Sequence, residues 1–118
     1  MSGRRTARLS EEIREVVAAI VAQLKDPRIG FITITRVELT PDLGSAKIYV
    51  GVLGDEAQRK KTLEGLRAAA GFVRRELGRR IKIRHTPDVV FEYDKGLDAT
   101  DRVARLLDGL KAETEPSD

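Results

Sequence analysis

Apolar residues recur at helical spacing in the first part of the chain. Between about residues 6 and 25 they follow one another at steps of three or four: Leu9, Ile13, Val16, Ile20 and Leu24. This spacing lines one face of an amphipathic helix. Asp26 and Pro27 then end it, because proline lacks an amide donor and clashes with a continuing turn.

A second helical pattern follows Asp55, whose side chain suits the N-cap position. Its apolar positions share one face: Leu63, Leu66, Ala70, Val73, Leu77 and Ile81. Gly71 interrupts it, at a cost of about 1 kcal/mol relative to alanine inside a helix. Such a glycine favours a kink or a close backbone approach. We therefore expect two helices that meet at Gly71.

Alternating apolar and polar residues predict two strands of a hairpin. Residues 31–39 are rich in β-branched side chains, and their apolar phase shifts near Thr35 and Arg36, which indicates a β-bulge. Residues 40–45 carry proline, aspartate and glycine in turn-forming order. Residues 46–52 then alternate again, so the two runs should pair antiparallel.

The rest of the chain supplies a third strand and a last helix. Residues 81–84 look extended, and residues 89–93, "VVFEY", have strand composition. A final helix is expected from about Asp98 or Thr100, with these residues on its inner face: Val103, Leu106, Leu107 and Leu110. The order predicts an α+β domain over residues 1–118, a small sheet with helices packed on one face. Residues 1–5 and the acidic tail 112–118 are expected to be flexible.

Composition narrows the function classes. The chain has no cysteine and a single histidine, His85, so it offers neither disulfides nor a cysteine or histidine cluster for a metal. It contains no signal-peptide pattern and no apolar run long enough to span a bilayer. We expect a cytoplasmic protein without cofactor, metal or small-molecule substrate.

Positive charge is concentrated in one segment. The chain carries a net charge of +3, while residues 74–84 alone contribute +5, so the remainder sums to −2. The six bases of this segment are Arg74, Arg75, Arg79, Arg80, Lys82 and Arg84, against one acid, Glu76. Exposed helices usually mix both signs, whereas dense arginine suits phosphate, whose oxygens the guanidinium fork contacts bidentately. The segment therefore predicts an RNA-binding surface. Because only 4% of the residues are aromatic, we expect it to read RNA shape and backbone rather than to stack bases.

Catalytic signals are weak. His85 lies among arginines and is interpreted as an incidental surface residue. The acids are scattered, mostly at helix starts and turns, where carboxylates meet exposed amides. The tetrapeptide "GVLG", residues 51–54, matches the nucleotide clamp of many KH domains, but it falls at a strand end and is interpreted as strand end plus turn.

Two long motifs and a helix near residues 101–107 carry a family resemblance. "KDPRIGFITITRVELTPDLGSAKIYV" and "LRAAAGFVRRELGRRIKIRHTPDVVFEYD" occur in order and at suitable spacing. The chain resembles ribosome-binding factor A, a bacterial assembly factor of the small ribosomal subunit. The resemblance implies a type II KH-like fold, α-β-β-α-kink-α-β-α, with a three-stranded sheet. It also implies an interhelical kink of the Ala-x-Gly type in place of the GxxG loop, which here maps onto Ala69, Ala70 and Gly71.

The function implied by the resemblance is not enzymatic. Members bind 16S rRNA in free 30S subunits and support late maturation, including processing of the 5′ end, often as a requirement for growth in the cold. By analogy, the six bases of residues 74–84 would face RNA, in a protein expected to be monomeric. Two alternatives stay open: a metal-dependent ribonuclease that uses acids such as Asp42 or Asp94, and a protein-interaction module whose basic face meets an acidic partner.

Overall fold

The computed structural model describes residues 3–95. In chain order these residues form helix α1 (Gly3–Ala22), strands β1 (Ile32–Leu39) and β2 (Ser45–Val52), helices α2 (Glu56–Ala68) and α3 (Ala70–Arg80), and strand β3 (Asp88–Tyr93). Helix α1 begins three residues before the predicted start and takes in part of the segment that was expected to be flexible. The predicted last helix and the tail 112–118 lie outside the described residues.

The three strands form a mixed sheet in the order β1-β2-β3. Strands β1 and β2 pair antiparallel, and their register shifts between Ile34 and Arg36, which confirms both the hairpin and the predicted bulge. Strand β3 pairs parallel to β2 on its other side. Parallel neighbours need a long crossover connection, and α2 with α3 provides it.

The hairpin turn depends on Asp42. Its carboxylate accepts hydrogen bonds from the backbone N–H of Gly44 at 2.9 Å and from the hydroxyl of Thr40 at 2.8 Å. The left-handed residue of the turn is Leu43, with φ +59°, while Gly44 has no positive φ. The turn itself is confirmed, although the residue that adopts the unusual conformation is not its glycine.

The core lies between the helices and one face of the sheet. Ala46, Ile48 and Val50 alternate along β2 with exposed or half-buried residues and are fully buried. Phe91 of β3 is also fully buried; enclosing a side chain of this size stabilises the fold by about 1.5–3 kcal/mol.

The inner face of α1 is broader than predicted. Ile13 and Ile20 are buried as expected, but Val17 is fully buried while Val16 is only partly so. Helix α1 packs against both β1 and α3. Because α1 has these two neighbours, its inner face is broader than predicted: it includes Val17, which the regular steps passed over, as well as Val16, which packs against the core.

Helices α2 and α3 meet at Ala69, two residues before the predicted position. Ala69 has φ −91° and ψ 0°, and its N–H is shared among carbonyls of the last turn of α2. Gly71 lies inside the first turn of α3, is exposed, and has no positive φ. The break is therefore made by an alanine in the bridge region, a sparsely populated but allowed conformation. The predicted N-cap of α2 is confirmed, since Asp55 accepts from the N–H of Gln58 at 2.9 Å.

Candidate RNA-binding surface

Helix α3 has one buried and one outward face. Val73 and Leu77 are fully buried against the core. Positions three and seven residues apart share a helix face, so Phe72, Arg75 and Arg79 form a row on the opposite side, and all three are exposed. We call this set the outward row of α3. It places two of the predicted RNA-binding arginines in solvent.

Arg74 lies on a flank of α3 and has a different role. Its Nη2 donates to the backbone carbonyl of Thr86 at 3.0 Å, and its Nε lies 3.4 Å from a carboxylate oxygen of Asp88. These contacts tie α3 to the start of β3. Arg74 is thus the predicted site residue whose guanidinium is already engaged in holding the fold together.

Arg67, which the sequence did not single out, acts in the same way from α2. Its Nε donates to the carbonyl of Phe91 at 3.2 Å, and its Nη2 lies 3.7 Å from Glu92. Arg67 and Arg74 stand on either side of Ala69, and both reach β3. Together they anchor the two helices that meet at the break. In the sequence, the one feature that could have indicated this role is the position of Arg67 two residues before the break at Ala69.

Glu76 pairs with two of the bases. Its carboxylate oxygens lie 3.5 Å from Arg79 and 3.3 Å from Arg80. The Arg79 side chain is still 78% exposed, so its guanidinium remains accessible. Arg80 turns toward α1, and six residues of helix place it about 120° around the axis from Arg74. The bases of α3 therefore do not form one uniform cluster.

The strip after α3 keeps the predicted alternation. Ile81 is buried and Ile83 partly buried, while Lys82 and Arg84 are exposed. Within residues 3–95, no carboxylate pairs with Lys82, Arg84 or Arg75.

The proposed kink residues differ in solvent exposure, since Ala69 and Ala70 are half-buried and Gly71 is exposed.

The structure also reveals a groove that sequence reasoning missed. It has a volume of about 400 Å³ and lies between α1 and α3. Its lining residues are Ile20, Gln23, Leu24, Lys25, Phe72, Glu76 and Arg80. Phe72 is 44% exposed there. The sequence could have indicated this exposure, because Phe72 directly precedes the inward-facing Val73 and adjacent residues on a helix point in different directions.

The two acids of the ribonuclease alternative do not meet. Asp42 lies in the turn that precedes β2, and Asp94 follows the β3 residue that pairs with Val50. Five residues of strand separate these levels by about 17 Å. The Gly44 N–H, followed by the Thr40 hydroxyl, lowers the pKa of Asp42. Asp94 is fully buried and accepts a hydrogen bond from Thr35.

Neither a metal cluster nor a membrane span occurs in the described residues. Among residues 3–95, no group of three or more histidine, cysteine, aspartate or glutamate side chains is placed to hold a metal ion. No helix in that part of the chain is long and apolar enough to cross a membrane. The "GVLG" segment is strand end plus turn, as expected, with Gly54 at φ +124°.

Comparison with known proteins identifies the family. The family model described as ribosome-binding factor A matches residues 5–107. The chain is 47% identical over 116 residues to ribosome-binding factor A of Desulfitobacterium hafniense, with 98% of this chain and 93% of that protein covered.

Solved structures of relatives share the fold. The crystal structure of ribosome-binding factor A from Thermus thermophilus superposes with a TM-score of 0.68 at 26% identity, and covers 74% of this chain and 92% of that one. A homology model of the Thermus thermophilus protein, fitted into a cryo-EM map of its complex with the 30S subunit, superposes with a TM-score of 0.63 at 26% identity. It covers 74% of this chain, and 92% of its own chain is matched. With its α+β, KH-like arrangement of three helices and a mixed sheet, the chain belongs to the ribosome-binding factor A family.

Proposed function

We propose that this protein is a non-catalytic assembly factor that binds 16S rRNA in free 30S subunits. It supports late maturation of the subunit, including processing of the 5′ end of the rRNA, without cleaving RNA itself. It acts as a monomer in the cytoplasm, and its relevance is greatest in the cold, when misfolded rRNA helices rearrange slowly.

The observation that carries this proposal is the outward row of α3. Arg75 and Arg79 stand in solvent on the face opposite the core, and Lys82 and Arg84 continue the positive charge beyond the helix. Arginine and lysine in this number favour the phosphate backbone, which supplies most of the affinity in nucleic-acid binding. The relative seen with a 30S subunit has the same fold, which supports the small subunit as the partner.

A non-catalytic role is favoured over the ribonuclease alternative. A two-metal site needs carboxylates that hold ions about 4 Å apart, while Asp42 and Asp94 lie at opposite ends of the sheet. Purified protein with precursor rRNA and Mg²⁺ should leave the RNA intact. Cleavage that a single carboxylate substitution abolishes would favour the enzyme instead.

The binding face is tested by charge reversal. We expect the double variant Arg75→Glu/Arg79→Glu to fold normally, because both side chains are exposed, and to lose at least about tenfold in affinity for free 30S subunits. The measurement is co-sedimentation through sucrose gradients at several salt concentrations, with circular dichroism as a check on folding. Arg74 is left in place because it anchors α3 to β3.

The matched control reverses two charges on the neighbouring helix. Lys60→Glu/Lys61→Glu changes the net charge by the same amount at two exposed positions of α2. We expect it to retain most of the binding. Equal losses in both double variants, or no loss in the first, would contradict the proposed face. Complexes that survive RNase treatment would point to an acidic protein partner instead.

A further inference from the structure

Phe72 is an apolar ring held in solvent on a basic face. It is 44% exposed, and it stands in the outward row of α3 with Arg75 one turn away and Arg79 two turns away. Single exposed apolar side chains are common on protein surfaces, but Phe72 also lines a groove together with the apolar residues Ile20 and Leu24. The position of this ring beside two exposed guanidinium groups therefore calls for a ligand that is flat and anionic.

The groove beside Phe72 has the same mixed character. Its apolar lining includes Ile20 of α1 and Leu24 just after that helix, and its charged lining consists of two bases and one acid: Lys25, Arg80 and Glu76. An acidic partner surface would satisfy the cations but would leave the ring and the apolar lining uncovered. A nucleotide satisfies both, because a base presents an apolar face and its phosphates are negative.

We infer that an unpaired RNA base stacks on Phe72 while Arg75 and Arg79 bind the phosphates on either side. The site therefore takes single-stranded RNA in preference to a duplex, since bases in an A-form helix are stacked on one another and present only their edges. This inference rests on the proposed RNA-binding function and adds to it the class of RNA and the residue that selects it. It departs from the expectation, drawn from the low aromatic content, that the surface does not stack bases.

Tryptophan fluorescence tests the stacking directly, because the chain contains no tryptophan. Phe72→Trp places a single reporter in the outward row, and Phe31→Trp places one at a residue that is 80% exposed before β1. Each variant is titrated with single-stranded oligoadenylate and with an RNA duplex of equal total charge. We expect single-stranded RNA to quench the indole of Phe72→Trp strongly and the duplex to leave it nearly unchanged, while the indole of Phe31→Trp responds to neither.

A second variant separates stacking from packing. Phe72→Leu keeps an apolar side chain in the groove that Ile20 and Leu24 also line, but removes the ring. We expect its affinity for the oligoadenylate to fall about tenfold, with little change for the duplex and with an unchanged unfolding midpoint in urea. The control Phe31→Leu should bind both RNAs like the wild type.

The outcomes distinguish the stacking site at Phe72 from the proposed rRNA-binding function on which it rests. Bound RNA that leaves Phe72→Trp unquenched, or normal single-strand affinity in Phe72→Leu, would overturn the stacking site and leave the rRNA-binding function intact. A wild-type protein that binds neither RNA yet co-sediments with 30S subunits would overturn the stacking site alone, and a wild-type protein that does not co-sediment would contradict both. Loss of binding to both RNAs in Arg75→Glu/Arg79→Glu, but to single strands alone in Phe72→Leu, is the pattern expected if both are correct.

Discussion

A single residue, Glu76, partly neutralises the positive charge of residues 74–84. It is the one acid between residues 74 and 84, and its carboxylate is shared by Arg79 and Arg80. Helix pairs of this kind stabilise a protein by about 0.3–0.5 kcal/mol each. The same pairing lowers the positive potential next to the outward row and competes with phosphate for both guanidinium groups.

Removing this carboxylate should therefore strengthen RNA binding. We expect Glu76→Gln to raise the affinity for 30S subunits about two- to fivefold at low salt, and to lower the free energy of unfolding by less than about 1 kcal/mol. Equilibrium binding and urea unfolding measure the two effects. Glu64→Gln on α2 makes the same charge change at an exposed site. An equal gain in this control would show that only net charge matters.

Individual residues were predictable in type but less so in role. The six bases were recognisable from the sequence as a dense basic segment. Arg74 nevertheless contacts Thr86 and Asp88, because the chain returns past α3 on its way to β3. A pairing between residues twelve or more positions apart leaves no local pattern, so the sequence did not separate this anchor from the solvent-exposed arginines.

Two helix glycines, Gly71 and Gly65, differ in how closely neighbouring elements pack against them. A Cβ added at Gly71 would lie 3.7 Å from the guanidinium of Arg75, an ordinary contact. A Cβ added at Gly65 would lie 2.8 Å from a side-chain carbon of Ile29, because α2 packs closely on the connection between α1 and β1. The conspicuous glycine at the break is therefore spatially free, and the inconspicuous one inside α2 is required for packing.

Alanine at these two positions should have opposite effects. Gly71→Ala should raise the free energy of unfolding by about 0.4–1 kcal/mol, since alanine reduces the entropy of the unfolded chain and suits a helix. Gly65→Ala should lower it by about 1–3 kcal/mol through overpacking. Urea unfolding of both variants measures the contrast. A destabilised Gly71→Ala protein would mean that the break needs glycine after all.

Charge is distributed unevenly over the whole molecule. The open face of the sheet holds a compact polar network, in which the Arg36 guanidinium stacks 4.0 Å from the Tyr49 ring and pairs with Glu38 at 2.9 Å. The guanidinium of Arg36 is therefore already engaged by neighbouring side chains. Arg75 on the outward row of α3, and Lys82 and Arg84 after that helix, are exposed and have no carboxylate partner within residues 3–95. The small net charge of +3 conceals this asymmetry.

The salt dependence of binding should report the number of bases that meet phosphate. With Arg74 engaged, five remain: Arg75, Arg79, Arg80, Lys82 and Arg84. We expect log affinity to fall with log salt at a slope of roughly −3.5 to −4.5. Arg75→Gln/Arg79→Gln should make this slope shallower by about 1.4–1.8, and Lys60→Gln/Lys61→Gln should leave it unchanged. A wild-type slope shallower than about −2 would argue against a phosphate-dominated interface.

Within residues 3–95, the sequence by itself determined the order and type of the elements, the hairpin with its bulge at Thr35, the N-cap at Asp55 and the basic segment. These features arise from short-range causes: apolar periodicity, turn chemistry, backbone capping and the bare count of charges. Each of these causes acts over a few neighbouring residues, so each could be recognised in the sequence alone. The family resemblance rests on the same local motifs.

Only the tertiary structure decided the break at Ala69 rather than Gly71, the full burial of Val17 beside the partly buried Val16, and the division of the bases into anchors and exposed groups. It also placed Phe72 in solvent beside Arg75 and Arg79, and it separated Asp42 from Asp94. The physical reason is common to all of these. Which side of a residue is covered depends on packing against elements distant in sequence, and that packing chooses among conformations that local propensity leaves almost equal in free energy.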